Sequence, residues 1–80
     1  MRAGTISSSF IGKKIRNLRK SDNKTIKEFS KALNVSEGTI YSWESGQRIP
    51  KLELLVNICN MYHVSLDSFV FYEEQNKRIN

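Results

Sequence analysis

Lysine and arginine are the most numerous charged side chains in this sequence, and they are concentrated in one part of the chain. Residues 1–51 carry eleven basic and four acidic side chains, a balance of +7, whereas residues 52–80 carry two basic and four acidic ones, a balance of −2. A concentration of basic side chains predicts a polyanionic partner. Alternatively, these basic side chains have no partner and only keep the helix surfaces solvated. The side chains concerned are Lys13, Lys14, Arg16, Arg19, Lys20, Lys24, Lys27 and Lys31.

Other kinds of chemistry have little support in the sequence. The single Cys59 and the single His63 cannot build a disulfide framework or a structural zinc site. No pairing of a nucleophile with a general base is visible, and a chain of 80 residues offers little room for an enzyme pocket. No apolar run approaches the ~20 residues of a membrane span, and no secretory signal is visible. We therefore expect a cytoplasmic protein that is not an enzyme and needs no cofactor or metal.

The elements that must position the basic side chains are predicted to be short helices. Apolar residues recur at helical spacing in several segments, and most segments begin at a residue typical of helix N-termini. There are five such segments: one begins at Ser9, one covers residues 26–33, one follows Ser36, one covers residues 52–62 and one follows Ser65. No segment shows a convincing two-residue alternation with hairpin turns. We therefore predict an all-α domain of five short helices over residues 9–71, with a flexible lead-in at 1–8 and a polar tail at 72–80.

The strongest local signals lie between residues 25 and 45. Thr25 and Glu28 have the spacing of a capping box, Asn34 tolerates the left-handed conformation of a tight turn, and Ser36 is a good N-cap. Two short helices joined by such a turn have the geometry of a helix-turn-helix. The residues available to pack the two helices together are Phe29, Ser30, Leu33, Val35, Ile40 and Trp43. This packing pattern alone would fit any corner between two helices.

Four short motifs carry a more specific signal. They are Leu18-Arg19, Val35-Ser36, the Trp43-Glu44-x-Gly46 block followed by Pro50, and Val64-Ser65-Leu66-Asp67. With these motifs, the stretch from Ile11 to Val70 resembles the XRE-type, lambda-repressor-like helix-turn-helix domain of bacterial and phage regulators. The resemblance implies a five-helix lambda-repressor-like bundle whose third helix is the recognition helix. It also implies that the partner is double-stranded DNA.

The resemblance further implies roles for individual residues. Arg19 and Glu44 are expected to form a structural ion pair that joins the first helix to the end of the third. Contacts to the DNA backbone are expected from Thr25, Ile26, Lys27, Ser36, Gln47 and Arg48. Contacts to base edges are expected from Glu37, Gly38, Thr39, Tyr41 and Ser42.

The sequence departs from the family pattern where DNA would be recognised. Ile26 replaces a frequent Gln, and Lys51 replaces the Ser that caps the fourth helix. The third helix has no outward Arg, Lys, Gln or Asn, the side chains best suited to guanine and adenine, so direct readout is predicted to be sparse. Glu37 would either accept a hydrogen bond from cytosine or only complement the helix dipole. Gly38 would either let the backbone approach DNA or simply be a poor helix former.

The apolar residues near the C-terminus exceed what one short helix can bury. We predict that they form a dimer surface made of Leu66, Phe69, Val70, Phe71 and Tyr72. Alternatively, these residues only pack on the fourth helix. We expect a transcriptional repressor that binds an inverted-repeat operator as a homodimer. The alternative function is a protein-interaction module, such as an antitoxin, that binds a protein partner and has weak affinity for DNA.

Overall fold

In the part of the chain that the structure describes, four α-helices lie between two short strands. The structure, a computed structural model, describes residues 2–74. In chain order its elements are β1 (Arg2–Thr5), α1 (Ser8–Ser21), α2 (Ile26–Leu33), α3 (Glu37–Glu44), α4 (Leu52–Tyr62), a 3-10 segment (Leu66–Phe69) and β2 (Phe71–Glu74). The predicted helical bundle is confirmed, except that its fifth helix is this four-residue 3-10 segment.

The helix-turn-helix begins and turns at the predicted capping residues. Thr25 and Glu28 form a complete capping box, in which the Glu28 N–H donates to the Thr25 hydroxyl at 3.1 Å and the Thr25 N–H donates to the Glu28 carboxylate at 2.9 Å. Asn34 ends α2 with a left-handed φ of 58°. The hydroxyl of Ser36 then accepts a hydrogen bond from the Thr39 N–H at 3.1 Å. These short-range contacts fix the angle between α2 and α3.

One apolar core holds the helices together. Trp43 and Cys59 are buried in it, as predicted, and burial raises the pKa of the Cys59 thiol. Within residues 2–74, the buried residues that form this core are Ile11, Ile15, Phe29, Leu33, Ile40, Trp43, Leu55, Ile58, Cys59 and Phe69. Every α-helix contributes to this set, so the position of α3 depends on packing from all of them.

The end of α4 is tied to the end of α1 by a side-chain hydrogen bond. Lys51, the residue before α4, forms no side-chain capping hydrogen bond, in agreement with the predicted departure from the family pattern. At its other end, the Tyr62 hydroxyl donates to the Asp22 carboxylate at 3.0 Å. Burial of the ring, together with this hydrogen bond, raises the pKa of Tyr62 to about 12.

A glycine permits the closest approach between two helices. Gly12 of α1 is buried against the end of α3, where a Cβ atom would overlap the carbonyl oxygen of Trp43 and stand 3.0 Å from that of Glu44. Any larger side chain would push α1 and α3 apart. The sequence pattern does not reveal this requirement, because the apolar stripe of α1 is equally consistent with Gly or Ala at this position.

The two strands lie in segments for which the sequence pattern indicated a flexible lead-in and a polar tail and predicted no strand. β1 and β2 pair in antiparallel fashion, with Gly4 opposite Tyr72 and Thr5 opposite Phe71. The Phe71 ring packs edge-to-face on the Phe10 ring of α1, with 5.7 Å between the ring centroids. Four-residue strands are too short to show a reliable two-residue alternation, and their pairing joins distant parts of the chain. Residues 75–80 of the predicted tail lie outside the described residues.

We predict that Gly12→Ala destabilises the fold whereas Gly38→Ala does not. An alanine at position 12 would overlap backbone, which should lower the free energy of unfolding by at least about 2 kcal/mol. At position 38 the new Cβ would meet only the Ser36 hydroxyl, at 3.8 Å, so better helix propensity should raise stability by up to about 1 kcal/mol. Urea unfolding followed by Trp43 fluorescence measures both. Equal stability of the Gly12 variant and the wild type would contradict the close helix crossing.

Candidate nucleic-acid interface

The third helix presents one polar stripe away from the core. Its inward residues, Ile40 and Trp43, are buried. The opposite side of the helix carries residues at the spacing i, i+3, i+4 and i+7, which places them in one row. That row, the outward stripe, consists of Gly38, Tyr41, Ser42 and the C-cap residue Ser45. Tyr41 is its only large side chain, and 63% of its surface is exposed.

The predicted base-contacting residues are not equally available. Glu37, Gly38 and Tyr41 are exposed. The hydroxyl of Ser42 donates to the Gly38 carbonyl at 3.0 Å, and the hydroxyl of Thr39 lies 2.8 Å from that of Ser36. These two hydroxyls are already hydrogen-bonded within the helix. Glu37 and Tyr41 are therefore the side chains that α3 offers to a ligand.

The predicted backbone-contacting residues lie on the segments that flank α3. Most are exposed: Thr25, Lys27, Ser36, Gln47 and Arg48. Ile26 differs, because its side chain is half-buried and packs against the core. The hydroxyls of Thr25 and Ser36 accept from amides of their own helices, so both act as caps.

The loop after α3 is shaped by a left-handed glycine. Gly46 has a φ of 82°, which favours glycine over other residues. With the chain turned there, the amides of Gln47 and Arg48 both donate to the Ser42 carbonyl, at 2.9 and 3.2 Å. The side chains of Gln47 and Arg48 are thereby held exposed beside the end of α3.

The predicted pair of Arg19 and Glu44 is present and is largely buried. The guanidinium donates from Nε to one carboxylate oxygen at 2.6 Å and from Nη2 to the other at 3.0 Å. Nη1 also donates to the Lys24 carbonyl at 2.8 Å, just before α2 begins. The two side chains are only 10% and 7% exposed. Donation of these hydrogen bonds to the Glu44 carboxylate raises the pKa of Arg19, so this cation is committed to the fold.

A depression beside the outward stripe was not predicted. It has a volume of about 300 Å³ and lies between α1, the start of α2 and α3. The Arg19–Glu44 pair forms part of its lining, together with Arg16, Ile26, Tyr41 and Ser45. Spacing along one helix cannot reveal such a site, because the site exists only where three helices meet.

The geometry of two capped helices with an exposed outward stripe is matched by a known family. The model of the HTH_3 family (Helix-turn-helix) matches residues 15–69, more than half of the chain. The chain belongs to the HTH_3 family. Residues of α1, α2, α3, α4 and the 3-10 segment all fall within the match. The resemblance to XRE-type domains is thereby confirmed.

Individual proteins resemble this chain in sequence or in structure. The chain is 28% identical over 68 residues to the HTH-type transcriptional regulator ImmR of Bacillus subtilis (strain 168), covering 85% of this chain and 54% of ImmR. The crystal structure of the clp gene regulator ClgR from Corynebacterium glutamicum is 26% identical with a TM-score of 0.68, covering 78% of this chain and 66% of ClgR. The crystal structure of an HTH_3 family transcriptional regulator from Vibrio cholerae is also 26% identical, with a TM-score of 0.66. The match covers 78% of this chain and 35% of the Vibrio cholerae chain. This chain thus spans about half the length of ImmR.

The predicted dimer surface of this HTH_3 domain needs correction. Phe69 is only 1% exposed and belongs to the core, because the 3-10 segment turns its ring inward. Val70 and Tyr72 are half-buried, whereas Leu66 and Phe71 are exposed. Leu66, Phe69 and Val70 line an apolar groove of about 250 Å³. Residues that were not predicted, such as Ile6, Ile49 and Leu52, complete its walls. Among residues 2–74, none of the groove-lining side chains is charged.

Residues 2–74 contain no group of three or more His, Cys, Asp or Glu side chains placed to hold a metal ion. None of the helices described is long and apolar enough to cross a membrane.

We predict that Arg19 and Glu44 are energetically coupled. Arg19→Met or Glu44→Leu alone leaves a buried charge without its partner and should lower the free energy of unfolding by roughly 3 kcal/mol. The double variant should lose clearly less than the sum of the two, because neither charge remains. Urea unfolding at neutral pH measures all three. Strictly additive losses would show that the pair is not coupled.

Lys24→Ala is the matched control for this double-mutant cycle. It removes the exposed ion pair with Asp22, in which the charged atoms are 3.7 Å apart, and keeps the backbone carbonyl that Arg19 uses. Its cost should stay below about 1 kcal/mol.

Proposed function

We propose that this chain is a DNA-binding transcription regulator that acts in the cytoplasm. The observation that carries the proposal is the geometry of α3, whose outward stripe is exposed between two flanking segments that carry Lys27 and Arg48. A helix presented in this way fits the major groove, and the flanking segments then lie beside the phosphates. The excess of basic side chains in residues 1–51 supports the same partner. The names of ImmR and ClgR, both regulators, agree with it.

The proposed mode of action is repression from an inverted-repeat operator by a homodimer. One copy of α3 offers few side chains to bases, so one half-site supplies little specificity. Two copies on half-sites about one helical turn apart would double the contacts and order them by symmetry. The apolar groove shares no residue with the outward stripe, so a second copy bound there would leave α3 open. We therefore assign the groove at Leu52 and Leu66 to the dimer.

A second candidate function is a protein-interaction module such as an antitoxin. The observations that favour it are the small residues on the outward stripe, the apolar Ile26 at the start of α2 and the exposed apolar groove. In this case the groove would bind a protein of another kind, and affinity for DNA would be weak. Measurement of DNA binding separates the two candidates.

We expect salt-dependent binding to duplex DNA. Fluorescence anisotropy with a labelled duplex of about 20 base pairs should show log K falling linearly with log salt, by about 0.9 for each phosphate contacted. Arg48→Ala should reduce the slope by about one contact. Lys31→Ala, which removes the same charge at the far end of α2, should leave the slope unchanged. Absence of binding at ~50 mM salt would overturn the DNA proposal. If the chain binds duplex DNA, selection from a random duplex pool will identify the operator.

We further expect the chain to dimerise through the groove. Light scattering after size-exclusion chromatography should give twice the mass of one chain for the wild type at high concentration or on the selected duplex. Leu52→Glu should give monomers, because it places a charge on the most exposed apolar side chain of the groove. Met61→Glu, an equal change at an exposed residue outside the groove, should remain dimeric. A wild type that stays monomeric under both conditions would exclude the homodimer.

A further inference from the structure

Arg16 is an exposed basic side chain that lines the depression beside α3. It lies exposed on α1, three residues before Arg19. Arg19 is held by Glu44, but no ion pair or side-chain hydrogen bond within residues 2–74 involves Arg16. Lys13 and Lys20 are exposed on the same row of α1, at i−3 and i+4 from Arg16. The middle of this row borders the depression beside α3.

The charge of the depression favours an anion. Its lining holds two arginines and one glutamate. Both oxygens of Glu44 accept from Arg19, so these two charges compensate each other at short range. The positive charge of Arg16 has no such compensating partner within residues 2–74. An anion that enters the depression would therefore meet one cation not already committed to an ion pair.

The other walls indicate which kind of anion fits. Tyr41 brings a hydroxyl on an exposed ring, and no hydrogen bond within residues 2–74 uses that hydroxyl. Ile26 brings an apolar surface, which suits a sugar better than a free ion. Ser45 offers no free donor to an anion, because its hydroxyl already donates to the Ser42 carbonyl at 3.2 Å. A donor, a cation and an apolar wall together match one sugar-phosphate unit.

We propose that this depression binds a phosphate of the DNA backbone, with the Arg16 guanidinium and the Tyr41 hydroxyl as donors. The proposal rests on the DNA binding proposed above, because the depression opens beside the outward stripe of α3. It reassigns Tyr41 from base recognition to backbone contact. It also gives Ile26 a role, since its side chain would pack on the sugar that carries the bound phosphate. α1 thereby becomes a third DNA-contacting segment, next to the start of α2 and the loop after α3.

Three single variants test the site. Arg16→Ala should weaken binding about tenfold and reduce the salt slope by about one contact, both on a random duplex and on the selected operator. Tyr41→Phe should weaken binding about threefold on both duplexes with an unchanged slope, since it removes a neutral donor. Lys31→Ala is the matched control for lost charge and should bind like the wild type. Circular dichroism checks that all three remain folded.

Replacement of single phosphates locates the contact. A neutral methylphosphonate is placed at each backbone position of the selected operator in turn. At one position in each half-site, the wild type should lose about tenfold in affinity, whereas Arg16→Ala should lose almost nothing more.

Each contrary result has a distinct meaning. A Tyr41→Phe defect confined to the operator would show that Tyr41 contacts a base and would overturn the assignment. An Arg16→Ala variant that matches Lys31→Ala in affinity and slope would overturn the phosphate site while leaving the proposed function intact. A wild type that binds neither duplex would overturn the proposed function, and this inference with it.

Discussion

The buried contact between Arg19 and Glu44 is the constraint on which the helix-turn-helix depends. One guanidinium reaches from α1 to the last residue of α3 and also holds the Lys24 carbonyl at the entry to α2. About two turns earlier along α1, Gly12 lets the backbones of α1 and α3 touch. The two contacts fix the distance between α1 and α3 and the direction of the α3 axis. The outward stripe is therefore presented by a rigid frame and not by a flexible loop.

Features that depend on neighbouring residues could be predicted from the sequence. The capping box at Thr25, the left-handed turn at Asn34 and the N-cap at Ser36 all involve partners within four residues. The pairing of β1 with β2 could not be predicted in this way, because each strand is four residues long and its partner lies at the other end of the described chain. The burial of Phe69 was mispredicted for a similar reason. Its residue type suits a core and a surface equally, and only the turn of the 3-10 segment decides between them.

The candidate site shows the same division. The resemblance supplied the roles of Arg19 and Glu44, and helical spacing placed Tyr41 on the outer side of α3. Spacing could not show that the Ser42 hydroxyl is taken by its own helix, since Ser side chains either bond their backbone or face solvent. Helical spacing also could not show that Arg16 differs from the other basic residues of α1. Arg16 differs because it lines the depression, which exists only where three helices meet.

The strand pair also bears on the order in which the chain folds. α2 and α3 are close in sequence, whereas β1 and β2 must bring the two ends of the described chain together. Closing so long a loop costs entropy that two four-residue strands can offset only when the helices already hold Phe10 in place for Phe71. We therefore expect the pair of β1 and β2 to form after the helices and to open before them. Its opening would expose the Phe10 ring of α1, whereas the core around Trp43 and the outward stripe of α3 lie on other elements.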